Sequence, residues 1–318
     1  MSNHHMEVVA GRRFRFGRNW ARFLGIVDRR RIEQAEASLV EAFGGADFRG
    51  RRFLDIGSGS GLFSLAARRL GARVHSFDYD PQSVACTLEL KHRFFPDDPT
   101  WTVEDGSALD PRYIESLGRF DIVYSFGVLH HTGDMYRALH NAQLPVDDEG
   151  LLFVAIYNDR GFRSRLWRGV KRLYCRGRLG RAVVVGTFVP WFVFSGLLKD
   201  LLRLRAPWRR YVQYRQRRGM SIVYDWLDWL GGYPFEVARP EEIFRFYRQR
   251  GFTLEELWTT PGDGTNHFVF RKTGPGAGDP FDSMDRTSTS APPDIDRRTP
   301  PAPDTRHSRK ETRLWQRS

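Results

Sequence analysis

Between residues 52 and 157, short continuous apolar runs alternate with segments of helical periodicity, the pattern of a sheet covered by helices on both faces. The runs predict strands at 52–56, 73–77, 100–104, 120–125 and 150–156. Helices are expected between them at 61–70, 81–94 and 134–143, with a further one at 111–117. Ahead of this block, Ile32, Ala35, Leu39, Val40 and Phe43 recur at helical spacing and Gly44-Gly45 ends the segment, so 31–43 reads as a helix. Residues 1–13 carry no such period and are expected to be poorly ordered. Pro240-Glu241-Glu242-Ile243 opens another helix, which runs to about 250 and is capped by Gly251. Two strands follow, at 253–258 and 267–271. The fold class is therefore α/β: a doubly wound, mostly parallel sheet of seven strands.

The alternation breaks off between residues 158 and 238, and the charge breaks with it. The 318-residue chain carries a formal net charge of +12, but residues 160–220 hold 17 Lys and Arg against Asp200 alone. The basicity thus belongs to an insertion after the fifth strand, and any anionic partner would be met there. At its centre, Ala182 to Leu198 is a run of 17 residues without a charge. A spanning helix needs about 20 apolar residues, and Pro190 interrupts the run, so a full span is not expected. Two readings stay open: a cap over the active site that uses Arg stems as packing, and a segment lying at an anionic membrane interface. RNA binding is the third and weakest reading. After Gly274, Pro, Ser, Thr, Asp and Arg replace large apolar residues, and 274–318 is expected to be disordered. Cys86 and Cys175 stand far apart and suggest neither a disulfide framework nor a zinc site. The N-terminus shows no apolar signal region, so a cytoplasmic location is expected, with peripheral contact at the inner face of the membrane if the interfacial reading holds.

The chemistry is concentrated in Phe53-Leu54-Asp55-Ile56-Gly57-Ser58-Gly59-Ser60-Gly61, an apolar strand running into a glycine turn and then the helix that starts near Leu62. Glycines at 57, 59 and 61 do not have the G-x-G-x-x-G spacing of a dinucleotide loop. They resemble motif I of the class I S-adenosylmethionine-dependent methyltransferases, whose cofactor carries no phosphate. The resemblance implies a Rossmann-like seven-stranded sheet with S-adenosylmethionine as cofactor. It places Asp55 at the methionine end and Gly57, Ser58, Gly59 and Gly61 along the loop. Asp78, ending the second strand, matches the acid that takes both ribose hydroxyls, with Tyr79 beside it. Asp80, followed by Pro81, suits a helix N-cap better. Where the family often has Gly-Asp-Ala, this chain has Gly106-Ser107-Ala108, so the adenine contact is expected from the Ser107 hydroxyl and the Ala108 amide.

Phe120-Asp121-Ile122-Val123-Tyr124-Ser125, continuing to Val128-Leu129-His130-His131, resembles motif IV of small-molecule methyltransferases, including the ubiquinone-biosynthesis and polysaccharide-modifying types. Ser125, Phe126 and Gly127 are then expected to line the methyl channel. His131, ahead of His130, is the candidate catalytic base; the competing reading is a histidine that holds the loop. Phe16-Gly-x-Asn-Trp and Gly231-Gly-Tyr-Pro-Phe-Glu resemble one bacterial subfamily. Asn19 and Trp20 are candidates to fold over the cofactor's carboxylate, Trp20 equally for core packing. Asp225, Tyr233 and Glu236 are candidate acceptor-site residues. No cluster with metal-ligand spacing appears, and no metal is expected.

The expected organisation is a lid and helix at 1–50, a cofactor-binding core at 51–157, the insertion at 158–238, closing core elements at 239–273 and the tail at 274–318. The expected function is methyl transfer to a small-molecule or lipid-linked acceptor, with oxygen as the atom methylated. The alternatives are a nucleic-acid methyltransferase that uses the basic insertion and a catalytically silent cofactor-binding protein. Ser125-Phe126-Gly127-Val128 stands where a base-flipping enzyme would carry Asn/Asp-Pro-Pro-aromatic, which counts against the former.

Overall fold

The computed structural model describes residues 3–202 and 222–273, with the side chains of 222–225 and 228 left aside. Five parallel strands form its centre: β1 (Arg52–Ile56), β2 (Arg73–Asp78), β3 (Trp101–Asp105), β4 (Phe120–Phe126) and β5 (Val146–Tyr157). β6 (Phe252–Trp258) and β7 (Thr265–Lys272) close the sheet in the order β3-β2-β1-β4-β5-β7-β6, with β7 antiparallel to both neighbours. The order reverses direction between β1 and β4. That switch point is where open α/β sheets bind ligands, beyond the carboxyl ends of the strands.

Nearly continuous apolar strands require cover on both faces, and they have it. On one face, α3 (Arg29–Ala42), α4 (Leu62–Arg69) and α5 (Pro81–Phe94) pack Leu39, Leu65 and Leu90 over Phe53, Trp101 and Tyr124. On the other, α6 (Pro111–Ser116) and α7 (Met135–Gln143) bring Ile114 and Leu139 onto Leu54 and Val123. Each such fully buried side chain contributes roughly 1.5–3 kcal/mol.

The insertion forms α8 (Phe162–Cys175) and α9 (Arg178–Leu202), with α10 (Ile222–Gly231) returning beside them. Tyr174, Val184 and Leu230 make a separate small core there. Gly180 lets the two long helices touch, because a Cβ at that position would sit 2.2 Å from the Leu173 carbonyl. α11 (Pro240–Arg248) then leads back to β6. The tail from 274 lies outside the described residues.

One expectation is corrected. Residues 1–13 are not without structure: Asn3–Val9 is a helix, and His4 is buried against Asp80 at 3.6 Å. Its partners lie some 70 residues away, so no local period announces it.

Candidate functional site

The loop after β1 is fastened to β2 by its own backbone. Gly57 and Ser58 donate to the Phe77 carbonyl at 2.8 and 3.0 Å, and Gly61 donates to Ser58 at 2.8 Å. All three glycines lie in the left-handed region. For Gly57 the need is steric as well, since a Cβ there would meet Val128 at 2.4 Å. The Gly59 amide donates to the Asp78 carboxylate at 2.9 Å, and the Asp80 amide donates to its other oxygen at 2.9 Å. Asp78 is thereby held at the end of β2, and each oxygen keeps a lone pair for a ligand hydroxyl. Burial pushes its carboxyl up to about 6. Asp55 is buried more deeply. Its pKa is raised to about 7, first by burial and then by the charge of Asp78, while a hydrogen bond from Ser64 pulls the other way.

These residues fit an adenosyl sulfonium. The loop is bare of side chains where a ligand must approach closely, the acid ending β2 is placed to accept hydroxyls, and Asp55 would suit the ammonium of the zwitterionic methionine end beside the cationic sulfur. Asp80 is the N-cap of α5, accepting from Gln82 at 3.0 Å. Tyr79 carries the Arg13 guanidinium over its ring at 5.0 Å.

After β3, the Ser107 hydroxyl accepts from the Leu109 amide at 3.2 Å, and the Ala108 carbonyl takes the Asn141 amide at 2.8 Å. At the end of β4, Ser125 does not reach a channel. It is fully buried and its hydroxyl donates to the Ile56 carbonyl at 3.3 Å. Phe126 joins an aromatic cluster with Phe63 and His267. Gly127 has open space where a side chain would stand.

His130 and His131 follow in the short turn after β4, and both are buried. His131 Nδ1 lies 2.5 Å from the Pro234 carbonyl, and a carbonyl only accepts, so Nδ1 carries the proton and Nε2 the lone pair. Burial, with Lys171 and Arg13 nearby, lowers its pKa to about 3. His130 packs on Tyr157 at 4.3 Å and on His131 at 4.5 Å, and burial drives its pKa well below the ordinary value. Glu236 is occupied with structure, accepting from the amides of Gly133 and Met135 at the start of α7. The Tyr233 carbonyl takes the Phe14 amide at 2.8 Å. The Asp225 side chain lies outside the described residues.

Two residues were not singled out from the sequence. Arg13 forks onto the carbonyls of His131 and Thr132 at 2.9 and 3.1 Å, drawing the N-terminal segment across the sheet's carboxyl edge. From there α2 (Gly17–Leu24) sets the Trp20 indole 3.0 Å from where a Gly59 Cβ would stand, while the same ring packs against the core. Lys171 is wholly buried, donating to the Trp229 carbonyl, with its ammonium 4.5 and 4.9 Å from the Trp229 and Phe235 ring centres. It was hidden in sequence among the crowd of cations on α8.

The sheet order and the glycine loop are those of the class I S-adenosylmethionine-dependent methyltransferases. The family model described as a methyltransferase domain matches residues 27–218, more than half of the chain, and the chain belongs to that family. Among curated relatives, the ubiquinone biosynthesis O-methyltransferase of Rhodopseudomonas palustris (strain BisA53) is 34% identical over 117 residues, 36% of this chain and 43% of that protein. Its namesake from Methylobacterium sp. (strain 4-46) is 33% identical over 138 residues, 42% and 51% of the two chains. The matches thus span about half the length of these relatives. Among solved structures, magnesium protoporphyrin IX methyltransferase from Synechocystis PCC 6803 with bound SAH aligns with a TM-score of 0.46 at 12% identity, covering 76% of this chain and 83% of that one.

Proposed function

We propose that the chain transfers the methyl group of S-adenosylmethionine to a small-molecule or lipid-linked acceptor, with oxygen as the atom methylated. The observation that carries the reading is the bond between the Gly59 amide and Asp78, which ties the glycine loop to an acid with acceptor capacity to spare. The cofactor, once bound, supplies a methyl group already activated by its sulfonium. The protein then has to hold, orient and exclude water. Asp78 would bind the ribose and Asp55 the ammonium of the methionine end, with Ser107, Ala108 and Tyr79 around the nucleoside.

An oxygen acceptor is supported by the tautomer of His131, whose Nε2 is left to accept a hydrogen bond from a hydroxyl. A pKa of about 3 makes it a poor resting base. A hydroxyl becomes strongly acidic as it is methylated, so even a weakly basic imidazole receives its proton at that stage. His130 supports His131 through ring contact. The ubiquinone O-methyltransferase relatives favour the same atom.

The test incubates the protein with methyl-labelled cofactor and the lipid and small-molecule fractions of a cell extract. Wild type should label an organic fraction; Asp78→Asn should bind the cofactor about 10–100-fold more weakly, as loss of hydrogen bonds to a charged acceptor implies. Label released as methanol by mild base would place the methyl on a carboxylate rather than a hydroxyl. Calorimetric binding without labelling would mean a silent cofactor-binding protein, and no binding at all would end the proposal.

A further inference from the structure

α9 has two apolar faces and a use inside the protein for only one of them. Val185, Phe188, Val189 and Phe192 face the cap, where they join Val184 around the small core of Tyr174 and Leu230, and Gly196 is buried as well. On the opposite side Leu179, Val183, Trp191, Phe194, Leu198 and Leu201 follow one another at three-, four- and eight-residue steps, the spacing of a single helical stripe. All six are exposed, Leu179 by 79% and Leu201 by 68%. At 1.5 Å per residue the 25-residue helix is about 37 Å long, and the stripe runs nearly its full length. Scattered exposed apolar residues are ordinary; a continuous stripe of this size marks an interaction surface.

Charge identifies the partner. The helix stands in a basic segment whose only acid is Asp200: Arg172, Arg176, Arg178 and Lys199 are exposed at and near its two ends, and Arg181 lies over the Tyr174 ring at 5.3 Å. A second copy of the chain would bring the same positive charge against it, and self-pairing is opposed. A nucleic acid would satisfy the cations and leave Trp191 and Phe194 in water. An anionic bilayer surface satisfies both, its head groups taking the arginines and its acyl boundary the stripe. α9 is long and apolar enough to cross a bilayer, but the contacts of Phe188, Phe192 and Val184 with the cap and the burial of Asp200 favour the in-plane arrangement. We infer that α9 lies in the plane of an anionic membrane with its exposed apolar stripe, Trp191 and Phe194 included, at the acyl boundary. The inference does not depend on methyl transfer, and its test reads binding alone.

The experiment is flotation of the full chain with vesicles of phosphatidylglycerol and phosphatidylcholine, against phosphatidylcholine alone, at 0.1 and 0.5 M salt. Wild type should float with the anionic vesicles at low salt and far less at high salt, where the screening length falls well below about 10 Å. The variant Trp191→Ser/Phe194→Ser/Leu198→Ser should lose about tenfold or more in bound fraction. These side chains are exposed, so its circular dichroism and thermal midpoint should match wild type. If they do not, the single variant Phe194→Ser supplies the comparison. Wild type that stays unfloated, a variant that floats as well as wild type, or equal flotation with neutral vesicles would overturn the inference. So would a wild-type dimer by light scattering that the triple variant converts to monomer, because the stripe would then face another copy.

Discussion

Ser64 donates its hydroxyl to the buried Asp55 carboxylate at 2.5 Å, the last link of a relay that runs from the Trp101 indole through Ser76. The relay is the main brake on an acid that burial drives upward, and it gives the cofactor site a pH dependence. Folded Asp55 keeps its proton to about pH 7 whereas the unfolded side chain loses it near 3.8. Its contribution to stability is therefore full below 3.8 and lost as pH rises through 7, by up to about 4 kcal/mol. Asp55→Asn should remove that loss and be more stable than wild type at pH 8 but not at pH 4, as measured by urea unfolding. Cofactor binding should tighten between pH 5 and 8 in the wild type, because the ionised acid faces a cation. A calorimetric affinity that stays flat across that range would contradict the assignment.

His131 works in the opposite direction. Its folded pKa of about 3 lies below the ordinary 6.5, so on acidification the unfolded chain takes up the proton first. The stability it protects is present above 6.5 and lost as pH falls toward 3, about 2 kcal/mol at pH 5. His130 shifts in the same sense. The sum of opposing terms conceals each, and the comparison with variants reveals them. His130→Leu should lose less stability than wild type between pH 7 and 5.

Among the described residues Lys171 forms no ion pair, and one indole and one phenyl ring lie around its ammonium. Burial pushes its ammonium down to about 7, against 10.5 in the unfolded chain. The unfolded state binds more protons between those values, so stability climbs with pH from 7 to 10.5. Lys171→Met, of similar length, should raise stability at pH 7 by about 2 kcal/mol or more and flatten that climb. A thermal midpoint lower than wild type at pH 7 would show that the bond to the Trp229 carbonyl outweighs the desolvation.

Gly57 meets two independent prohibitions: a left-handed backbone and the Val128 side chain in the space a Cβ would take. Gly57→Ala should cost about 1–2 kcal/mol from the backbone alone, with the overlap added. Adding Val128→Ala should recover the second part and leave the first. Full recovery in the double variant would show that the backbone term is negligible.

The central sheet was legible because its information is local. β1 and α5 fall at Arg52–Ile56 and Pro81–Phe94, where the apolar runs and Pro81 placed them. The glycines and Asp78 were legible for the same reason, since a turn and the acid after a strand are written within a few residues. Ser125 was not. Its hydroxyl goes to Ile56 on a neighbouring strand, a pairing fixed by sheet order and not by the spacing around it. The helix Asn3–Val9 and Arg13 were missed on the same ground, because their partners Asp80, His131 and Thr132 are distant in the chain. Within the insertion, the uncharged run at 182–198 marked the middle of α9 but not its ends, and Pro190 was accommodated inside the helix.

Phe14 is hydrogen-bonded to the Tyr233 carbonyl beside the insertion, and its ring fills the place where a Gly231 side chain would stand. Six residues later, Trp20 rests on Gly59. So short a tether holds about 20 Å of chain at full stretch, part of it already wound into helix, and leaves little slack. The insertion's return and the glycine turn are thus held at a fixed separation by one short stretch of chain, so loss of the Phe14 anchor would also loosen the seat of Trp20.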